Sequence, residues 1–416
     1  MQTAVPEALP VATEQLKLAR TFDFNLEALR GVAAMLVVWH HFIFHQNRLD
    51  PAYTPTGIFS FNPPGHLSVL VFFVLSGYVI GRVHIEPLMG DDILVYLKKR
   101  FVRIYPIYFL TIIIAYFVAN QWYSLEVLIG DLTIVQRVDG IIIFENNPAW
   151  SLTFEVLFYL LFIPISFLRL NVGNIALFAA GIGVIAISQE SYVGGSYSLG
   201  FAFWLCGVFL ARRFPHTEKS SFALMVSMLL LLLTLERLNF LTIVLGKVMS
   251  FLLSKPHIFN SGRVQIADLA QLPYCVLLVL IFASRKFVYK KQIILAMLLA
   301  PMLSMYMVLS TPNALQDETL ILPICFYVLA LIIYFLQKPL ESMCSRFIHR
   351  LYSTGALSYG LYMIHFPILI IFYRIGWFSG TALTFSIRLV CYVILCAIAS
   401  YLLEKKYQPW AKRLLS

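Results

Sequence analysis

Arg30, His40 and His41 lie in one apolar run near residues 26–46. An ionisable group in a membrane-spanning run costs about 2.5–3.5 kcal/mol at the helix centre, so its presence points to function. Arg30 and His41 are eleven positions apart, which is about three turns of a helix. They therefore share a face and lie roughly 16 Å apart along the axis, while His40 points roughly 100° away. A cation at one end and an imidazole at depth suit a long anionic ligand that enters past Arg30. An imidazole also suits the removal of a proton from a hydroxyl. The structural alternative has Arg30 reaching the headgroups and His41 bonding a neighbouring helix.

Four further groups could join them. Arg100 and Arg103 stand at i, i+3 in Lys98-Lys99-Arg100-Phe101-Val102-Arg103 and point one way on a helix. Two guanidiniums there could hold phosphate by bidentate hydrogen bonds, or could simply be part of a basic cluster at lipid headgroups. Trp150 and Ser151 open another apolar run, with Glu155 one turn in. That carboxylate could pair with a buried cation or bind a substrate hydroxyl. Ser358, Tyr362 and His365 fall at i, i+4, i+7 on one helical face, with Tyr359 one step aside. Ser76-Gly77-Tyr78 places a glycine where two helices could approach closely.

The elements that must position these residues follow from composition. Of 416 residues, 60% are hydrophobic and only 12% charged. Soluble domains carry about 25% charged residues, so a water-soluble globule and a disordered chain are both excluded. Apolar runs of spanning length lie near 26–46, 66–84, 104–120, 149–168, 174–190, 197–212, 220–235, 267–284, 292–310, 320–336, 356–375 and 382–403. The fold class expected is all-α, a polytopic transmembrane bundle of about 10–12 spanning helices. Lys plus Arg exceeds Asp plus Glu by 31 to 21, a formal charge of +10. In a membrane chain this reads as positive-inside bias rather than nucleic-acid binding.

The bias also sets topology. With both termini cytoplasmic, clusters such as Lys98–Arg103, Arg285–Lys291 and Lys405–Arg413 fall on one side. The stretch 239–254 is then re-entrant or interfacial, because a further crossing would move Arg285–Lys291 outside. The connection 121–148, polar through Glu126, Asp131, Arg137, Asp139 and Glu145, is expected as an exposed loop on the opposite side. Three segments follow: a cytoplasmic stretch 1–24, a transmembrane domain 25–404 and a cytoplasmic tail 405–416. No cleaved leader is expected in the polar residues 1–24. The six cysteines form no C-x-x-C pair, so neither a disulfide framework nor a zinc site is expected.

Taken in order, the motifs resemble the membrane-bound acyltransferase-3 family, whose members O-acylate sugars and polysaccharides. The resemblance runs from LEALRGVAAMLVVWHHF through FFVLSGYVIGR, KKRFVRIYPIY and NPAWSLTFEVLFYLLF to SYGLYMIHFP. It covers roughly residues 24–405. The family's arginine, ten residues, histidine motif falls on Arg30 and His41, which selects His41 over His40. Its R-x-x-R falls on Arg100 and Arg103, and its W-S-L with a following glutamate on Trp150, Ser151 and Glu155. Its S-Y-x-x-Y-L-x-H falls on Ser358, Tyr359, Tyr362 and His365. Glu27 stands where aspartate is common, Tyr78 replaces phenylalanine, and Met363 replaces leucine. The chain is also longer than the usual ten-helix core between the sixth run and SYGLYMIH.

The resemblance implies a cytoplasmic acyl-CoA donor, most often acetyl-CoA, and a carbohydrate acceptor approaching from the other side of the lipid bilayer. No permanently bound cofactor, no metal and no nucleic acid is implied. Arg100 and Arg103 would hold CoA phosphates and Arg30 would guide the donor. His41 would be the base, with an acyl-His41 intermediate as an alternative. Glu155 would orient His41 or the sugar. Trp150, Ser151, Ser358, Tyr359, Tyr362 and His365 would line the acceptor route or donate to the thioester oxygen. The compartment implied is a bacterial inner membrane. A proton-coupled transporter of a small solute is the rival reading, because it too places His, Arg and Glu at depth.

Overall fold

The computed structural model describes residues 23–134, 142–252, 263–310 and 317–415. The stretch 1–22 and the residues Arg137 and Asp139 lie outside the described residues. In the described part of 121–148 the chain is not a plain exposed loop: Leu125–Leu132 is helical, and Asp131 and Glu145 are buried, accepting from the Ile143 amide at 2.7 Å and the Tyr123 hydroxyl at 2.8 Å. Among the described residues the chain is helical, with no β-strand. The main helices are α1 Phe24–Phe44, α2 Gly65–Val83, α3 Asp91–Val118, α4 Trp150–Phe167, α5 Val172–Ser188, α6 Tyr192–Arg213 and α7 Phe222–Thr234. They continue with α8 Phe240–Leu252, α9 Leu272–Phe282, α10 Lys290–Leu309, α11 Ile321–Phe335, α12 Gln337–Gly355, α13 Ser358–Arg374 and α14 Ala382–Tyr401.

Each of the apolar runs read from the sequence coincides with one of these helices. Among the described residues, 8 helices are long and apolar enough to cross a bilayer, and a bent pair, α12 with α13, would make a ninth. Four others are apolar but shorter, including the 13-residue α8. At 1.5 Å per residue, α8 is about 20 Å long, against a hydrocarbon core of about 30 Å. The protein is an integral membrane protein built as a helical bundle.

Large exposed apolar side chains such as Leu177, Phe178, Leu383 and Val390 cover the outside of the bundle, as a lipid-facing surface requires. Inside, helices meet where side chains are small. A Cβ on Gly77 of α2 would lie 1.8 Å from the Trp204 carbonyl oxygen of α6, and one on Gly207 would lie 2.0 Å from the Val74 carbonyl oxygen. The two backbones touch through paired glycines. The same device joins α1 to α12, where a Cβ on Gly31 would strike Thr354 and one on Gly355 would strike the Glu27 carbonyl.

Helix α12 is the element that the apolar runs do not show. Its sequence QKPLESMCSRFIHRLYSTG is amphipathic and buries only Cys344, Ile348 and Gly355. Its Glu341 carboxylate accepts from the Phe222 and Ala223 amides at 2.9 and 3.1 Å, capping the N-terminus of α7. A bend of 70° then separates α12 from α13. The bend starts α13 at Ser358, whose hydroxyl donates to the Gly355 carbonyl at 2.7 Å. This turn sets the direction of the SYGLYMIH helix through the molecule.

Candidate active site

Helix α1 begins at Asp23, whose side chain caps the Leu26 amide, and continues without a break to Phe44. It runs between two cavities, with Arg30 lining the first and His41 the second. The face they share therefore serves two sites rather than one channel wall. Tyr362 of α13 lines both cavities. Its hydroxyl donates to the Pro148 carbonyl at 2.6 Å and accepts from Ser151 at 2.8 Å, so the dividing ring is fixed from both sides.

The first cavity, about 140 Å³, gathers Arg30, Arg100, Arg103, Ser151, Glu155, Ser358 and Tyr359. Arg100 and Arg103 belong to one continuous helix, α3, which starts at Asp91, well before the apolar run. They are held differently. Arg103 donates to Glu404 at 3.1 Å, from the far end of the chain, and Glu404 also accepts the Gly360 amide at 3.1 Å. Arg100 lies over the Tyr96 and Tyr159 rings, 5.8 and 5.6 Å from their centroids. Its Nε is buried with no hydrogen-bond partner among the described residues. A buried charged donor left in that state is set up for an anion. Arg30 spends one donor on Glu27 at 2.7 Å and lines the same cavity.

Glu155 sits in this cavity, not beside His41. Its Oε1 accepts from Ser76 at 2.6 Å and Tyr159 at 2.5 Å. Trp204 in turn donates to Ser76 at 3.2 Å. The carboxylate thus anchors α4 to α2 and α6 under the arginines, and no hydrogen bond connects it to His41. Ser76 is a partner in this network, while Gly77 is a packing glycine.

The second cavity is larger, about 650 Å³, and lies at the other end of α1. It is lined by His40, His41, His45 and His66, by Trp150, and by polar groups including Asn147, Glu236, Asn239 and Asp268. Trp150 and Ser151 are neighbours in sequence but face different cavities, because adjacent helical residues point about 100° apart. His40 is turned to the Pro63 carbonyl at 3.1 Å.

The protons on His41 follow from its contacts. His365 Nδ1 lies 3.2 Å from the Leu361 carbonyl, which can only accept, so Nδ1 carries the proton and His365 Nε2 is a lone pair. That lone pair lies 3.2 Å from His41 Nδ1, which also lies 2.9 Å from the Val37 carbonyl. Two acceptors around one nitrogen place a proton on His41 Nδ1. His41 Nε2 is then the free lone pair of a ring that lines the second cavity. His365 is therefore a partner of His41, buried behind it, and Ser358, Tyr359 and Tyr362 of the same motif face the first cavity.

A match to the acyltransferase domain model extends over residues 23–405, which takes in every side chain lining the two cavities. The chain belongs to the acyltransferase-3 family. Among curated proteins it is similar to acyltransferase MdmB of Streptomyces mycarofaciens, 27% identical over 246 residues, 55% of this chain and 57% of that one. It is also similar to protein 2 in the picA locus of Rhizobium radiobacter, 34% identical over 111 residues, 26% of this chain and 52% of that one. The chain spans about half the length of these curated relatives. No solved structure matches it. The acyltransferase-3 chain shows four site residues that its sequence did not single out: His66, Asp268, Glu236 and Glu404. His66 and Asp268 are 202 positions apart, and Arg103 and Glu404 are 301 apart, so neither pairing is visible to local spacing.

Proposed function

We propose that this acyltransferase takes an acyl group from acyl-CoA in the first cavity and passes it to a carbohydrate hydroxyl in the second. The observation that carries the reading is the division of the site at Tyr362: Arg30, Arg100 and Arg103 converge on one side, and four histidines line the other, where Arg237 and Arg263 are bonded to Asp317 and Asn147. Arginines suit the phosphates of CoA, and Arg100 has a buried donor to offer. The first cavity is too small for a whole CoA, so it would take the acyl-bearing arm and one phosphate, with the nucleotide outside it. A cavity of about 650 Å³ with a tryptophan face, carboxylates and side-chain amides suits a polyhydroxy ring.

His41 Nε2 is the atom on which the acyl group changes hands. Its lone pair attacks the carbon of a thioester whose arm reaches past Tyr362 from the first cavity, the C–S bond breaks, and the thiolate leaves toward the arginines. The Nδ1 proton is held by Val37 and His365, which keeps the attacking nitrogen bare. The acyl group then transfers from Nε2 to the acceptor oxygen. The arginine cavity faces the cytoplasm, with both chain termini on that side, in a bacterial inner membrane. Acetyl-CoA is the first donor to test.

The test is CoA release from acetyl-CoA by the purified protein in vesicles, with methyl glycosides as acceptors. Release above the His41→Ala background supports the reading. Normal acyl-CoA binding should persist in His41→Ala and weaken in Arg100→Ala. A well-folded wild type that neither binds nor consumes acyl-CoA would overturn the reading and return solute transport to the front.

A further inference from the structure

The proposed function leaves one proton unplaced. If His41 Nε2 carries the acyl group, it cannot also receive the proton of the attacking hydroxyl. A second imidazole stands in the same cavity with the backing that such a task requires. His66, in the first turn of α2, has Nε2 2.8 Å from Asp268 Oδ2. Asp268 is 4% exposed, and the same oxygen accepts the Gln265 amide at 2.8 Å. An acceptor-only carboxylate at that distance places the His66 proton on Nε2. His66 Nδ1 has no hydrogen-bond partner among the described residues, and its ring lines the cavity. The ring lies nearly parallel to Trp150, with centroids 6.5 Å apart.

We infer that His66 and Asp268 form the acid–base pair for the acceptor, and that His66 Nδ1 removes the proton from its hydroxyl. The inference rests on the acyl-transfer reading above. A sugar held in the cavity beside Trp150 and the Arg263 guanidinium, which lies 5.7 Å from the indole centroid, would bring a hydroxyl to His66. As the O–C bond to the acyl carbon forms, the C–N bond to His41 Nε2 breaks and its electron pair returns to that nitrogen. The hydroxyl proton passes to His66 Nδ1, and the imidazolium is stabilised by Asp268 until it releases the proton to water. The buried carboxylate also fixes the ring's tautomer, so Asp268 is a positioning residue and His66 the catalytic one.

The test separates nucleophiles that need a base from one that does not. Wild type, His66→Gln and Asp268→Asn, in vesicles with acetyl-CoA, are offered water and methyl glycosides, or hydroxylamine, which is already a free amine at neutral pH. Transfer to O–H acceptors should fall about 10²–10⁴-fold in His66→Gln, while hydroxamate formation above the His41→Ala background stays within about threefold. Asp268→Asn should show the same selective loss, which a merely structural role would not produce. Equal loss with both kinds of nucleophile, or no loss with either, would overturn the inference. Failure of the wild type with every nucleophile would instead sink the acyl-transfer reading on which it rests.

Discussion

The two histidine pairs of the second cavity are built on opposite plans. His41 is backed by a neutral ring, His365, and a carbonyl, with both neighbours accepting from its Nδ1. His66 is backed by a buried carboxylate that is itself held by a backbone amide. A carboxylate stabilises positive charge on an imidazole, whereas a neutral ring gives it little help. The first arrangement favours a nucleophile that must later leave, and the second favours a proton acceptor. Location on a membrane helix does not assign a histidine's role. The partner behind the ring does.

The largest expected effect is at His41. Its replacement by alanine should lower acyl transfer to every nucleophile by on the order of 10⁴-fold, read as CoA release at equal protein level. Asp268→Asn comes next, with a loss of about 10²–10³-fold confined to hydroxyl acceptors. A comparable loss in hydroxamate formation would erase the distinction between the two pairs.

The arginines give a third and smaller contrast. Arg100→Ala removes a guanidinium with an unused buried donor and should raise the KM for acyl-CoA roughly 10- to 100-fold with normal folding, on a charged hydrogen bond of about 1.5–3 kcal/mol. Arg103→Ala takes one partner from the buried Glu404, whose other partner is the Gly360 amide, and should cost stability as well, by about 1–3 kcal/mol, seen as a lower unfolding temperature in detergent. Double replacement of Arg103 and Glu404 should recover part of that stability and none of the donor affinity. Least affected should be Tyr362→Phe. It loses one hydroxyl that bonds Pro148 and Ser151, for a roughly 2- to 10-fold drop in turnover without a change in donor KM.

Much of the helical content was legible because an apolar run of spanning length has few alternatives in a membrane. Helix α12 escaped that reading since its apolar residues form a stripe rather than a run. Arg30, His41 and Arg100 were legible as ionisable groups in or beside such runs. The sharing of Arg30 and His41 between two cavities was not, because a common helical face says nothing of what packs around its two ends. Glu155 was expected to orient His41 or the sugar; its bonds go to Ser76 and Tyr159, so it does not orient His41. The split of Trp150 from Ser151 could have been anticipated from helical geometry alone. Asp268, at the edge of the run 267–284, and Glu404, just past the run 382–403, have no chemistry-bearing neighbour at helical spacing, and only the folded chain brings them to His66 and Arg103.

The central claim is that the acyl group crosses from the arginine cavity to the histidine cavity through His41. The most direct measurement uses sealed vesicles with labelled acetyl-CoA outside and methyl glycosides trapped inside. Labelled glycoside ester should accumulate inside with the wild type and be absent with His41→Ala. Ester that forms only when donor and acceptor share one side of the membrane, or that persists in His41→Ala, would contradict the account.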